Sequence, residues 1–206
     1  MTQHRNSNEN TVRNYWKSLP NYPSDLLEKW FYHHEESELV GTLSMLDRDG
    51  ALKSRSLKIE SIDAFGNFYI AMNIDSFWMD LTESQSVSLS FNNYDTYQQA
   101  NLQGTIEITR VQDSLRNYLK QDSSVRAYSL ISDYPQPVVS KFEACARFAW
   151  KKQEIENRDQ EINPNWTLFI IKPHKFEFIV TSKDDMPECL EYIKRDDHWC
   201  HQYQWI

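Results

Sequence analysis

The hydrophobic residues of this chain follow two rhythms. Near the amino end Leu26, Leu27, Trp30 and Phe31 fall on one helical face. Ser24 is placed to cap that helix, with Asp25 and Glu28 in a first turn where the helix dipole favours acids. This predicts a helix to about His33. From Leu39 the pattern changes to short strand-type runs over residues 39–46, 51–62 and 67–72. Asp47-Arg48-Asp49-Gly50 and Asp63-Ala64-Phe65-Gly66 separate these runs, each a turn-forming tetrad that ends in glycine. Connections this short impose antiparallel neighbours. A short helix is expected over 76–83, then strands over 86–91 and 97–109. Residues 111–155 read as mainly helical, interrupted at Pro135 and Pro137, and the polar run 151–163 as a mobile loop or a helix end. Strand character returns over 166–171, 175–181, 189–194 and 198–205.

Seven or eight antiparallel strands with helices inserted among them define an α+β protein built on a closed or split antiparallel β-barrel with peripheral helices. Residues 1–20 read as a flexible arm and 21–206 as one domain. Aromatic residues make up 14% of the chain, enough to fill a real core. The net charge of −8 argues against a nucleic-acid partner, which needs a basic stripe to meet phosphates. It also disfavours anionic small molecules unless bases are concentrated locally. No apolar run reaches bilayer length, so no membrane association is expected. The polar start MTQHRNSNEN lacks the apolar centre of a signal peptide. Three widely spaced cysteines make no disulfide framework, and together these features point to the cytoplasm.

The order of motifs narrows this further. Asp49-Gly50-Ala51 is followed by Arg55, then Met72-Asn73-Ile74-Asp75-Ser76 and Val87-Ser88-Leu89-Ser90-Phe91. Gln98-Gln99 stands five residues before Gly104, and Pro164-Asn165-Trp166, Glu177-Phe178 and Trp199 close the series. In order and spacing this resembles the pyridoxamine 5′-phosphate oxidase family over roughly residues 20 to 206. The resemblance implies a split-barrel homodimer that holds FMN at the subunit interface and acts on a small-molecule ligand. In that family the flavin performs the redox step and the protein orients it.

Carried over position by position, the resemblance implies that Arg55 clamps the FMN phosphate, as a guanidinium fork can. Ser76 matches a cofactor-binding serine, but the two bases after it have become Phe77 and Trp78. Those aromatics could stack on a planar ligand, or fill the space of an absent one. Gln99 matches the glutamine beside the flavin ring, while the arginine before it is Gln98. Ser132 survives from a second cofactor motif, whose other positions read Tyr134 and Pro135. The ring-facing tryptophan and the last arginine fall on Ile179 and Cys189.

On the substrate side Tyr118 remains, but a lysine position reads Glu60, an arginine position Asp122 and a histidine position Pro187. Two carboxylates where bases should meet a phosphate dianion repel it. The expected activity is an FMN-dependent oxidoreductase with a non-phosphorylated substrate. The alternatives are a cofactor-poor binding or interaction module on the same dimeric barrel, or a haem or deazaflavin protein in which Trp78 and His174 contact the cofactor. His198, Cys200 and His201 lack the matching pair a metal site needs, so no metal is expected. Cys145, on a helix of small and aromatic residues, reads as a buried structural thiol.

Overall fold

The computed structural model describes residues 18–31, 38–47, 49–74, 85–132, 140–158, 161–181 and 186–204. Helix α1 (Pro23–Phe31) precedes five strands, β1 (Val40–Leu46), β2 (Leu52–Ile62), β3 (Phe68–Asn73), β4 (Gln85–Asn93) and β5 (Gln98–Ile108). Three helices follow, α2 (Val111–Lys120), α3 (Ser123–Ile131) and α4 (Lys141–Arg158), then β6 (Trp166–Val180), β7 (Glu188–Arg195) and β8 (His198–Gln204).

The sheet runs β3-β2-β1-β4-β5-β6-β7-β8, and β3 also pairs with β6. Six strands thereby close into an antiparallel barrel, while β7 and β8 continue outward from β6. The strand that does both jobs is β6. Its first half, Trp166 to Ile171, pairs with β3, and its second half, Lys175 to Val180, pairs with β7. β5 runs beside it along its length. The expectation of two strands here is corrected to one strand of 15 residues with a bulge. Pro173 suggested a break because it cannot donate to a ladder. The bulge accommodates it opposite Gly104.

Period-two burial explains the barrel wall. Leu43 and Met45 of β1, Val87, Leu89 and Phe91 of β4, and Ala100, Leu102 and Ile106 of β5 face a common core. Thr42 and Ser44 on β1 bond across to Ser56 and Ser54 on β2, on the outer face. Trp30 from α1 enters the core edge-on against Phe178, ring centroids 5.2 Å apart. The helix begins at Pro23 rather than beyond Ser24, so Ser24 is a buried first-turn residue and not the cap. Proline's fixed φ suits the first helical position.

Both glycine-terminated tetrads form as expected. The Asp47 carboxylate accepts the Asp49 and Ala51 amides at 3.0 and 2.8 Å, and Asp63 accepts those of Phe65 and Asn67, both at 2.9 Å. Gly50 and Gly66 take φ of 80° and 78°, a region open to glycine. Asp196 and Asp197, at φ 46° and 65°, form the two-residue turn between β7 and β8. The polar run after residue 151 is partly helix end, since α4 extends to Arg158. Cys145 is exposed, which corrects the expectation of a buried thiol. The cause is that α4 buries only Ile155 and turns its aromatic half outward, with Phe142 and Trp150 exposed. Among the described residues no helix is long and apolar enough to cross a membrane.

Candidate functional site

Cross-strand partners share a face, so the register places the candidate residues without ambiguity. On the outer face of β5, Gln99 lies opposite Ile179 of β6, and Ile179 opposite Cys189 of β7. These three stand in one lateral row. Gln99 Nε2 donates to Asn101 Oδ1 at 3.3 Å, which leaves its carbonyl oxygen as the acceptor of the row. Burial pushes the Cys189 thiol up, assisted by the charges of Glu177 and Glu191, so it stays protonated and unreactive. The adjoining row is Asn101, Glu177, Glu191 and Gln202. Lys175 binds this row together, with Nζ 2.9 Å from Glu177 and 2.8 Å from the buried carboxylate of Glu191. Gln98, whose neighbour Gln99 faces out, is buried and accepts from the Thr96 hydroxyl at 2.7 Å.

Arg55 sits elsewhere. It lies opposite Leu43, and Leu43 opposite Leu89, so it belongs to the core-facing side of the wall. β3 pairs with β2 only over Ile59 to Ile62, which leaves the half of β2 that carries Arg55 without a β3 partner. The barrel is therefore split beside Arg55, which is partly buried. Arg55 and Gln99 occupy opposite faces of the same sheet.

A third group gathers where α2 and α3 meet the barrel. Glu60 is the additional residue of a β2 bulge between Ile59 and Ser61. Bulges re-aim a side chain out of the ladder, and Glu60 reaches α2. Its Oε2 accepts from Asn117 Nδ2 at 2.9 Å and from Gln121 Nε2 at 2.7 Å. Trp166 Nε1 donates to Asn117 Oδ1 at 2.9 Å, which fixes the direction of that amide. Tyr118 is 1% exposed, and its ring lies 5.8 Å from that of Trp166. Its hydroxyl has no hydrogen-bond partner among the described residues. The buried Arg126 guanidinium stands 5.0 Å from the Tyr118 ring centroid and donates to the Glu161 carbonyl. Asn163 and Asn73 both donate to the Ser129 carbonyl, at 2.8 and 2.7 Å, closing the network.

Of the residues expected at the site, Glu60 and Tyr118 are brought to one network. Arg55 and Gln99 are kept apart, and Ser132 caps the end of α3, where its backbone N–H donates to the Tyr128 carbonyl. Ser76 and Trp78 lie outside the described residues, as do Phe77, Tyr134 and Pro135. His174 is exposed on β6. No group of three or more metal-ligating side chains occurs among the described residues. Sequence reasoning missed Asn117, Gln121, Arg126 and Trp166. The one local signal was the four-residue spacing of Asn117 and Gln121, which puts both amides on one helical face.

No family model matches the chain. It is similar to the pyridoxine/pyridoxamine 5′-phosphate oxidase of Colwellia psychrerythraea, 20% identical over 86% of this chain and 83% of that one. Among solved structures it is similar to PhzG from Burkholderia lata, in complex with tetrahydrophenazine-1-carboxylic acid, with a TM-score of 0.78 and 20% identity over 94% of this chain and 96% of that one. It is also similar to a pyridoxamine 5′-phosphate oxidase-related, FMN-binding protein from Nostoc punctiforme. There the TM-score is 0.71 and the identity 10%, over 91% and 98% of the two chains. The resemblance read from the motifs thus holds at the level of the fold. The chain shares the split-barrel fold of these proteins at low sequence identity.

Proposed function

We propose that this split-barrel relative of the pyridoxamine 5′-phosphate oxidases is a cytoplasmic, homodimeric FMN-dependent oxidoreductase whose substrate carries no phosphate. The observation that supports it is the placement of Arg55 and Gln99 on opposite faces of one sheet. One flavin cannot meet both from a single chain. A second copy supplies Gln99 to the cofactor that Arg55 clamps, and the exposed apolar half of α4 is available for the seam. The donors suit the group: a guanidinium fork for the phosphate and a carboxamide oxygen for a ring N–H, with Ile179 providing apolar contact beside it. When bound, FMN supplies hydride and electron transfer; the protein's part is to orient it and exclude water. Glu60 and the exposed Asp122 at the head of α3 disfavour a phosphate dianion by charge. Three free thiols accord with a reducing compartment.

Reconstitution with FMN, followed by flavin absorbance and melting temperature, tests this reading. Arg55→Ala and Gln99→Ala should each weaken uptake, Arg55→Ala by at least tenfold, about 1.4 kcal/mol. Mixing the two variants should restore tight uptake, because each mixed dimer contains one site with both residues intact. Absence of flavin uptake by the native chain refutes the reading. Variants that bind FMN normally would remove Arg55 and Gln99 from the site, and mixtures that recover nothing would place both residues on one copy.

A further inference from the structure

We propose that Glu60 is a specificity-determining residue that recognises a protonated amine on the substrate. Its setting is more elaborate than an anchor for α2 requires. The residue is carried out of the β2 ladder by a bulge, and Oε2 is held by two carboxamide donors, Asn117 and Gln121. The indole N–H of Trp166 holds Asn117 in the orientation that donates. One carboxylate oxygen is thereby immobilised, while Oε1 carries no hydrogen bond among the described residues. A neutral glutamine would tether the helix equally well. A carboxylate with one oxygen fixed and the other open suits a ligand N–H bearing positive charge.

The charges around Glu60 on β2 also favour a cation. The Lys58 ammonium is held above the ordinary lysine range, first by its 2.7 Å bond to Glu38 and, against its partial burial, by the charges of Glu60 and Asp122. Lys58 is committed to Glu38 and bonds to neither of the other two carboxylates. Among the described residues Glu60 therefore has amide partners but no ion-pair partner, whereas a buried charge usually has one.

The inference rests on the proposed function for what happens to the amine, but its test does not. Calorimetric titration at pH 7, with and without FMN, would compare three probes of one shape: benzylamine, benzyl alcohol and benzoate. Benzylamine should bind at least tenfold more tightly than benzyl alcohol, and benzoate more weakly than either. Glu60→Gln, with an unchanged melting temperature to show that the network still forms, should bring benzylamine to the level of the alcohol. Equal binding of amine and alcohol, no measurable binding of the amine, or a preference that survives in Glu60→Gln overturns the proposal. Amine preference without flavin uptake would sink only the cofactor reading, and flavin uptake without amine preference only this one.

Discussion

Replacing Lys175 by methionine should lower the unfolding free energy at pH 7 by about 3–5 kcal/mol, the range for breaking a buried ion pair from one side. The reason is Glu191, whose side chain is only 3% exposed and lies 2.8 Å from the Lys175 ammonium. Burial alone would push that carboxyl up. Hydrogen bonds from Lys175 and from Gln202, at 2.7 Å, outweigh burial and hold it below the usual carboxylate range. A group whose folded pKa is depressed contributes stability above its unfolded value, about 4.3 for glutamate, and loses it as pH falls through the folded pKa. Lys175 is the mirror case. Its pKa is raised by Glu191 and Glu177, so its contribution is complete below the ordinary lysine value and fades only in strong alkali. The native pair is therefore at full strength across neutral pH. In Lys175→Met Glu191 keeps the Gln202 hydrogen bond but loses its cation, so its pKa rises, and the deficit should shrink as pH falls toward 4 and the carboxyl takes up its proton. Urea denaturation of both proteins at neutral and acidic pH measures this directly. Adding Glu191→Gln to the variant should recover most of the loss at pH 7. A deficit below about 1 kcal/mol at pH 7, the scale of surface pairs, would show that water reaches Glu191.

What could be read from the sequence was what depends on near neighbours. Asp47 and Asp63 each gather two amides within four residues and are followed by a glycine in the left-handed region, so both turns, and the antiparallel strands around them, were legible. The strand pattern left the choice between a closed and a split barrel open, because the pairing that closes it, β3 with β6, joins segments far apart in the chain. The continuity of β6 was hidden by Pro173. Its tolerance depends on Gly104, in a distant strand. The site divides in the same way. Gln99 and Arg55 were found by motif order, but their separation onto opposite faces needs the register of four strands. Glu60 is singled out as a charge reversal, whereas its partners Asn117 and Gln121 lie in a distant helical segment, and Trp166, which orients Asn117, comes from yet another strand. Cys145 reads as buried because small and aromatic residues on a helix usually mark a packed face, whereas here that face is exposed.

Gly104→Ala should cost about 3 kcal/mol, near the upper end for overpacking, although it adds only a methyl group. That methyl carbon would lie 2.5 Å from the Lys172 carbonyl oxygen, 2.9 Å from its carbon and 3.0 Å from Cα of Pro173. All three are backbone atoms of the neighbouring strand, so relief requires β5 and β6 to separate at the bulge. Gly41→Ala provides the control. Its methyl would meet Leu89 and Phe91 side-chain carbons at 2.8 Å, which can turn aside, so the penalty should be smaller. The bulge also sets which residues of β6 face outward: β5 alternates without a break, while the extra residue His174 puts Lys175 to Val180 in one register with it and Phe169 to Pro173 in the other. A one-residue slip exchanges the faces of a strand. If Gly104→Ala is relieved by expelling the bulge, the row of Gln99, Ile179 and Cys189 is the part that moves. On the proposed function, FMN uptake should then fall more in Gly104→Ala than in Gly41→Ala at equal distance from the melting temperature. Equal stability losses in the two variants would mean that the strands can part at Gly104 as easily as two side chains can turn, and that the bulge does not hold the register.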